Sequence, residues 1–364
     1  MTRPLYAQIS LPALRDNIVR ARELAPGTQL FAVVKANAYG HGLMRVLPAL
    51  AEADGLALVE LDAAVELRAA RYARRILLLE GFFTPDELTE IAARRLAIVV
   101  HSEDQVRVLE RAKLERPLEV FVKINSGMNR LGIAPGDATR LIERLNHCEA
   151  VAVLRLMTHL ARADEKDGVE EGLATFNAAC RGLPYPRSIA NSAGVVRHSE
   201  VGGEIIRPGI MLYGATPFPF DSAAGIGVAP VMTLRSRIIA VQALRPNDSV
   251  GYGYTYTASR AHRVGVVAGG YADGYPRHAP NGTPVLVCGK KARIAGRVSM
   301  DMITVDLSEI PEADVGSPVV LWGDGLPVDD VANAASTVGY ELLCAVASRV
   351  PFVVTNVPRI DLEL

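Results

Sequence analysis

Lys35 is the residue whose setting in the sequence points most directly to chemistry. It follows the apolar run Leu30–Val34 and precedes a turn that contains Gly40 and Gly42. A partly desolvated lysine has a lowered pKa and can form a Schiff base with a carbonyl compound. The alternative interpretation is a solvated surface lysine, which fits poorly between an apolar strand and a glycine-containing turn.

Other polar side chains follow later apolar runs in the same way. His159 follows the sixth run, Asn191 and Ser192 follow the seventh, and Arg207 follows the eighth, just before Gly209. Each has an ordinary alternative: a buried core histidine, a helix N-cap, or the partner of a core carboxylate. Ser192 and Gly209 fall on the two loops that bind phosphate in many barrels. A reactive lysine and a phosphate site together favour pyridoxal 5'-phosphate, with Arg207 beside its ring nitrogen.

The elements that position these side chains are eight short apolar runs, which alternate with helical patterns before Asp221. The runs are Leu30–Val34, Leu56–Val59, Ile76–Leu79, Ala97–Val100, Val120–Ile124, Val151–Met157, Arg187–Ala190 and Ile205–Ile206. The helical patterns are Leu11–Leu24, Asp62–Tyr72, Pro85–Arg94 and Glu103–Leu114. Unmixed apolar runs are typical of parallel strands buried on both faces. They predict an α/β fold, a (β/α)8 TIM-like barrel with its active site at the C-terminal strand ends. An open doubly wound sheet is the alternative.

A second pattern begins near Asp221. The stretch Pro217–Pro230 is rich in Gly, Ala and Pro, which predicts a linker. The short runs that follow are Arg237–Val241, Val264–Ala268, Pro284–Val287, Ile303–Leu307 and Pro318–Trp322. Short runs separated by Gly and Pro turns are typical of β domains. We predict a barrel domain at residues 1–226 and a C-terminal mostly-β domain at residues 227–364.

Tyr252 is the residue of the second domain best placed for chemistry. Glycines flank it at 251 and 253, which suggests a turn that exposes its hydroxyl. Because Tyr254 and Tyr256 follow at alternate positions, a strand with packed aromatic rings is an alternative.

Charge and composition exclude several classes of protein. The sequence has 39 Lys and Arg against 40 Asp and Glu, so no overall basic field favours nucleic acid. No apolar run approaches the ~20 residues of a membrane span, and the first residues lack the apolar segment of a signal peptide. The four cysteines form no CxxC pair. We therefore expect reduced thiols, no metal site, no membrane partner and a cytoplasmic location.

Seven separated motifs, in order, resemble those of bacterial alanine racemases, and of the proteobacterial forms in particular. They are Val34–Gly42, Ser126–Gly132, Asn191–Ala193, Arg207–Ile210, Val250–Gly253, Gly270–Tyr275 and Ser299–Asp301. The resemblance covers essentially the whole chain. It implies a pyridoxal-phosphate-dependent enzyme that interconverts L- and D-alanine. It also implies a homodimer whose two active sites each use residues of both subunits.

The resemblance implies roles for individual residues. Lys35 would hold the cofactor and serve as one base, and Tyr252 of the second subunit would be the opposing base. The residues implied around the cofactor are Tyr39, Asn191, Ser192, Gly209 and Ile210 at the phosphate, His159 at the ring face and Arg207 at the ring nitrogen. Arg130 would orient the substrate carboxylate, which the Met300 backbone would bind. Tyr271 and Asp301 would lie at the substrate entrance. Lys123 matches a lysine that is carbamylated in several members.

One departure and three alternatives accompany this resemblance. Ser348 stands where some members carry a tyrosine that narrows the substrate entrance, so a racemase of another small amino acid, such as serine, stays open. An amino-acid decarboxylase is disfavoured because such enzymes place an acidic residue where Arg207 stands. A non-catalytic cofactor carrier is disfavoured by the second domain and by Tyr252. D-alanine supply for peptidoglycan and alanine breakdown both fit as the physiological role.

Overall fold

The computed structural model describes residues 3–198, 201, 203–219 and 221–356. Their backbone forms two compact units that are interleaved along the chain. The first, here called the barrel unit, consists of Ile18–Ala38 and Leu50–Gly209. The second, here called the sheet unit, consists of the described residues of Met1–Asn17, Tyr39–Ala49 and Ile210–Leu364. The division at residues 226 and 227 stays a prediction.

Eighteen strands are assigned in chain order within the described residues. They are β1 (Tyr6–Ser10), β2 (Gln29–Val33), β3 (Gly55–Leu58), β4 (Arg75–Leu78), β5 (Ala97–Val100), β6 (Leu118–Lys123), β7 (Val151–Met157), β8 (Arg187–Ser188), β9 (Ile205–Ile206), β10 (Met232–Leu244), β11 (Ser249–Val250), β12 (Tyr256–Thr257), β13 (His262–Ala268), β14 (Pro284–Val287), β15 (Lys290–Ile294), β16 (Met302–Asp306), β17 (Pro318–Trp322) and β18 (Phe352–Thr355).

The right-handed α-helices within the described residues are fewer than the strands. They are α1 (Leu11–Leu24), α2 (Leu43–Val46), α3 (Leu61–Ala69), α4 (Glu87–Ala93), α5 (Glu103–Arg111), α6 (Ala138–Asn146), α7 (Glu170–Ala179), α8 (Ser192–Arg197), α9 (Val328–Ala334) and α10 (Gly339–Cys344). The predicted helix at Leu11–Leu24 is confirmed to the residue. The other three predicted helices are confirmed, and each is shorter than predicted.

The barrel unit is a closed parallel barrel of strands β2 to β9 in sequential order. Closure comes from β2 and β9, where Gln29 pairs with Ile205 and Leu30 pairs with Ile206. Strands such as β3 and β5 are buried at every position, as expected for the apolar strands of a parallel sheet that is covered on both faces. All eight predicted strands are confirmed, and the alternative of an open doubly wound sheet is wrong.

The sheet unit contains an eight-stranded sheet of order β13-β16-β15-β14-β17-β10-β1-β18, with β13 also paired to β10. The five predicted strands are confirmed within it. Strand β1, from the start of the chain, pairs antiparallel with β10 and parallel with β18, which the sequence patterns did not predict. The mostly-β prediction is confirmed, and the unit also holds helices α9 and α10.

The stretch predicted to be a linker is packed rather than extended in solvent. Within Pro217–Pro230 the side chains of Phe218, Ala223, Ile226 and Val228 are buried. The stretch lies inside the sheet unit and buries apolar side chains there, so the prediction of a linker is wrong. No helix in the described part of the chain is both long enough and apolar enough to cross a membrane.

Candidate active site

A left-handed turn follows strand β2 and begins at Lys35. The φ angles of Ala36, Asn37, Ala38 and Tyr39 are 51°, 54°, 57° and 51°. Such a conformation costs L-residues about 1–2 kcal/mol each, and four in succession are rare. Strain of this kind is retained mainly at functional sites. The amide of Ala38 donates to the Val34 carbonyl at 2.9 Å, which closes the turn and leaves the Lys35 side chain half-buried.

Arg207 is a buried guanidinium that is held by neutral oxygens. It donates to Ser188 Oγ at 2.5 Å, to the Thr158 carbonyl at 2.7 Å and to the Ile189 carbonyl at 3.5 Å. No carboxylate forms an ion pair with it within the described residues, so the alternative of a core carboxylate partner is wrong. Its Nε–H makes no hydrogen bond to any described residue. Burial lowers the pKa of Arg207 to about 10, which leaves it charged at neutral pH.

Four cationic side chains of the barrel unit act on one another here. Burial, followed by Arg207 and Arg130, lowers the pKa of Lys123 to about 8. Burial, followed by Arg207, Lys123, Arg130 and Lys35, lowers the pKa of His159 to about 3. The structure therefore brings these five predicted residues together, with His159 neutral at pH 7.

The cationic cluster, defined as Lys35, Lys123, Arg130 and Arg207, lacks a matching number of acids. Glu80 is the one carboxylate among the groups that raise the pKa of Lys123. Like charges at short range in a partly buried site destabilise one another unless an anion joins them. The donors present therefore fit an anionic molecule, such as one with a phosphate or a carboxylate.

The loops after strands β8 and β9 meet at Ser192. Its Oγ accepts a hydrogen bond from the Gly209 amide at 2.8 Å, and the residue is buried. Asn191 caps helix α8, because its Oδ1 accepts from the Gly194 amide at 3.0 Å. The helix N-cap interpretation of Asn191 is thus confirmed, and Ser192 and Gly209 lie together as predicted.

Two predicted phosphate ligands lie in the sheet unit. Ile210 is buried. The Tyr39 ring stacks on that of Tyr213, with ring centroids 4.7 Å apart, and lies 6.0 Å from that of Tyr340. Burial, with Tyr340 and Cys344 nearby, raises the pKa of Tyr39. Its phenol therefore keeps its proton at neutral pH and can donate a hydrogen bond.

Tyr252 lies on a hairpin turn between strands β11 and β12 and is 72% exposed. Gly251 and Gly253 adopt φ angles of 72° and 71°, which favour glycine. Tyr254 is equally exposed, so the alternative of a strand with packed tyrosines is wrong. The hydroxyl of Tyr256 bonds to His262 Nε2 at 2.9 Å, which ties the base of the hairpin to the sheet.

Met300, Asp301 and Tyr271 lie on two segments joined through their backbones. The Ala272 amide donates to the Met300 carbonyl at 3.1 Å, and the Tyr271 amide donates to the Ser299 carbonyl at 3.1 Å. Met300 is 53% exposed. Its amide N–H has no acceptor among the residues that the structure describes, so it can bind an anionic group.

Sequence patterns missed several residues that position these groups. Ser188 Oγ and the Thr158 carbonyl both accept hydrogen bonds from Arg207, but a lone serine in a strand and a backbone carbonyl give no distinctive sequence signal. Asn125 organises the loop before Arg130, because its Oδ1 accepts from the amides of Gly127 and Asn129. In the ranges given above, no cluster of three or more His, Cys, Asp or Glu side chains could hold a metal ion.

Comparison with known proteins gives the family. Residues 9–217 match the N-terminal domain of alanine racemases and residues 231–354 match their C-terminal domain. The chain is 55% identical over 352 residues to the alanine racemase of Nitrosospira multiformis, covering 96% of this chain and 99% of that one. It is 50% identical over 354 residues to a catabolic alanine racemase of Klebsiella aerogenes, covering 97% and 99%.

A solved structure agrees with these relatives. The biosynthetic alanine racemase of Pseudomonas aeruginosa superimposes with a TM-score of 0.95 at 47% identity, covering 98% of this chain and 100% of that one. The barrel, the antiparallel sheet and the matched residues lead to one conclusion: the chain is an amino-acid racemase and belongs to the alanine racemase family.

Proposed function

We propose that this enzyme interconverts L- and D-alanine by a two-base mechanism in which Lys35 and Tyr252 serve opposite faces of the substrate. The observation that carries the proposal is the cationic cluster around Lys35, which fits a phosphorylated cofactor and a carboxylate substrate. Pyridoxal 5'-phosphate, when bound, supplies the electron-withdrawing ring that makes the Cα proton of an amino acid acidic.

Lys35 would hold the cofactor in the resting enzyme, and its free amine would exchange the proton on one face of Cα during turnover. A second base must lie on the opposite face, because racemisation removes a proton from one side and returns one to the other. Tyr252 supplies it from the partner subunit in a homodimer. Its 72% exposure in the single chain supports this role, because a buried phenol could not reach a second subunit.

Arg207 would donate to the pyridine nitrogen of the cofactor. Its pKa of about 10 supports the view that it keeps its own proton, so that the ring nitrogen stays unprotonated. His159, a neutral imidazole, would lie against the ring face. Tyr39, Ser192, Gly209 and Ile210 would hold the phosphate, and Asn191 caps helix α8, which begins at Ser192.

Arg130 and the Met300 amide bind the substrate carboxylate, and Tyr271 and Asp301 line the entrance. Lys123 would be carbamylated, as the family resemblance implies for this position. Its pKa of about 8 supports this, because only the neutral amine reacts with carbon dioxide. The resulting anion would offset part of the positive charge of the cationic cluster.

The test is chiral chromatography of the purified, cofactor-loaded protein incubated with L-alanine and, separately, with L-serine. We expect D-alanine to form until the two enantiomers are equal. Tyr252→Phe should keep the cofactor absorbance and lose racemisation, because phenylalanine cannot carry the proton. Tyr254→Phe is the matched control, since Tyr254 is equally exposed on the same hairpin, and it should remain active.

Absence of D-alanine from the loaded wild-type enzyme would contradict the proposal. A second candidate function, racemisation of serine, rests on Ser348, which is exposed and lacks the tyrosine ring of some relatives. Equal rates with serine and alanine would favour it. Supply of D-alanine for peptidoglycan and alanine breakdown are the two physiological roles, and a D-alanine requirement in a deletion strain would establish the first.

A further inference from the structure

Asp273 is a buried carboxylate that the two-base mechanism does not use. It is 1% exposed. Arg3 donates to both of its oxygens, Nη1 to Oδ1 at 2.6 Å and Nη2 to Oδ2 at 2.9 Å. Arg349 Nε donates to Oδ1 at 2.7 Å, and the Gly270 amide donates to Oδ2 at 2.9 Å. The carboxylate therefore accepts four hydrogen bonds, three of them from guanidinium groups.

Both arginines also reach the same second residue. Arg3 Nη2 donates to the Asp301 carbonyl at 2.8 Å, and Arg349 Nη2 donates to Asp301 Oδ1 at 2.5 Å. The backbone and the side chain of Asp301 are thus both fixed, directly after Met300. Two arginines and two aspartates make the network neutral, so it can be partly buried without a net charge.

The network joins four segments of the sheet unit, those of Arg3, Asp273, Asp301 and Arg349. Ala347 donates its amide to the Asp273 carbonyl at 3.1 Å, and Gly269 donates to the Asp301 carbonyl at 2.9 Å. A Cβ atom at Gly270 would lie 2.3 Å from the Ser299 carbonyl oxygen. Only glycine permits this approach, so the Tyr271 turn is pressed against the segment that carries Met300.

Electrostatics favour the ionised form of this network. Burial raises the pKa of Asp273, but the hydrogen bonds from Arg3 and Arg349 outweigh burial and lower it. The bonds to Asp273 and Asp301 raise the pKa of Arg349. Charge-assisted hydrogen bonds are shorter and stronger than neutral ones, so the network holds its shape at neutral pH.

We propose that Asp273, Arg3 and Arg349 are positioning residues for the substrate carboxylate. They fix the Met300 amide and Asp301, and they anchor the segment that bears Ser348, without touching the substrate themselves. This inference rests on the proposed function, in which the Met300 amide binds the carboxylate. A displaced amide would weaken substrate binding while leaving both bases in place.

The experiment compares Arg349→Met, Arg349→Lys and wild type in the cofactor-loaded enzyme. Methionine keeps much of the length of arginine and removes both ion pairs. We expect the KM for alanine to rise about tenfold, the effect of weakening one hydrogen bond to a charged group, with kcat changed less than about twofold. Arg349→Lys should recover part of the loss, because an ammonium group can still pair with one aspartate at a time.

A second readout separates positioning from general stability. Propanoate, which is alanine without its amino group, should inhibit Arg349→Met about tenfold less strongly than wild type. Arg293→Met is the matched control, because Arg293 is exposed on strand β15 and should leave both constants unchanged. Inhibition of an Arg349→Met enzyme that remains at the wild-type level would overturn the proposal.

Other outcomes are equally decisive. A lower kcat together with a lower melting temperature, while KM stays unchanged, would show a merely structural role and overturn the proposal. If Arg349→Met does not fold, Arg3→Met and Arg349→Lys are measured in its place, and unchanged KM values in both would overturn it. A wild-type enzyme without activity on alanine would contradict the proposed function instead, and propanoate binding would still test the network by calorimetry.

Discussion

The barrel unit and the sheet unit present their functional groups in opposite ways. In the barrel unit Arg207 and Lys123 are charged side chains with 4% and 8% exposure, fixed among strand ends. In the sheet unit Tyr252 and Met300 are largely apolar side chains with 72% and 53% exposure. Each arrangement is unfavourable by itself, since buried charge and exposed apolar surface both raise the free energy of a chain in water.

The difference indicates what the functional groups of each unit require. Buried cations are stabilised by an anion, which the cofactor phosphate and the substrate carboxylate would supply. Exposed aromatic and methionine side chains are stabilised by coverage, at about 25 cal/mol per Å² of apolar surface removed from water. A second subunit would supply that coverage. The stability of the barrel unit is therefore expected to depend on bound ligand, and that of the sheet unit on dimerisation.

The largest expected effect is restoration of activity between two inactive variants. Lys35→Ala removes the base proposed for the barrel unit, and Tyr252→Phe removes the base proposed for the sheet unit. If sites are shared between subunits, each heterodimer has one intact site, and random mixing should restore about a quarter of the wild-type sites. Racemase assays after mixing, with native mass spectrometry to count heterodimers, provide the measurement.

A mixture in which no site can contain both bases is the control for this test. A Lys35→Ala, Tyr252→Phe double variant mixed with Lys35→Ala leaves no site with both bases, so it should stay inactive. Confirmed heterodimers of the two single variants without activity would show that each site is built from one chain.

The next effect concerns reaction specificity at Arg207. Arg207→Glu would place an acid at the position proposed for the ring nitrogen, which would keep that nitrogen protonated and make the ring a stronger electron sink. The cofactor would then take up the proton more often than it does in the wild-type enzyme. We expect pyruvate formation per racemisation event to rise at least about tenfold, and racemisation to fall by about 10²-fold. Coupled pyruvate and D-alanine assays measure both.

Arg207→Lys is the control for charge at this position, because it keeps the cation and loses the forked geometry. It should lower racemisation without increasing pyruvate. If Arg207→Glu produces no additional pyruvate while the cofactor stays bound, the account of the ring nitrogen is wrong.

Much of this architecture could be predicted from local sequence patterns. Strands such as β5 are unmixed apolar runs, and helix α1 has a clear apolar face, so both were predicted closely. Strand β1 was not predicted to join the second sheet, because its partners β10 and β18 are far away in sequence. Pairing at that range leaves no local pattern.

The candidate site divides in the same way. Motif residues such as Lys35 could be found by resemblance. The left-handed conformation of Ala36 and Ala38 could not be predicted, because alanine does not favour a positive φ. The neutral partners of Arg207 also had no signal. A serine and backbone carbonyls bind it, and backbone carbonyls are present at every position in any sequence.

A smaller effect concerns His159, whose pKa is lowered to about 3. The unfolded chain takes up a proton near pH ~6.5, and the folded chain does so only near pH 3, so stability falls as pH drops between these values. The slope is about 1.4 kcal/mol per pH unit for this group. Histidine-labelled NMR should show no titration of His159 between pH 5 and 8.

The NMR signal of His159 is assigned with the variant His159→Gln, whose spectrum should lack that one histidine signal. The variant should also lose the corresponding part of the pH dependence of unfolding, whereas His147→Gln, on an exposed histidine, should not. A His159 signal that titrates near neutral pH would contradict the electrostatic account of the cationic cluster.

The smallest effect is expected at Ser348, which is exposed in the sheet unit and directly precedes Arg349. Ser348→Tyr adds a ring beside the substrate entrance, and one added group in a pocket changes discrimination by about 1–3 kcal/mol at most. We expect the ratio of kcat/KM for alanine over serine to rise about fivefold, mainly through serine. Ser348→Ala, which removes the hydroxyl without adding a ring, should leave the ratio unchanged. A ratio that changes equally in both variants would mean that the hydroxyl, and not the missing ring, sets the substrate range.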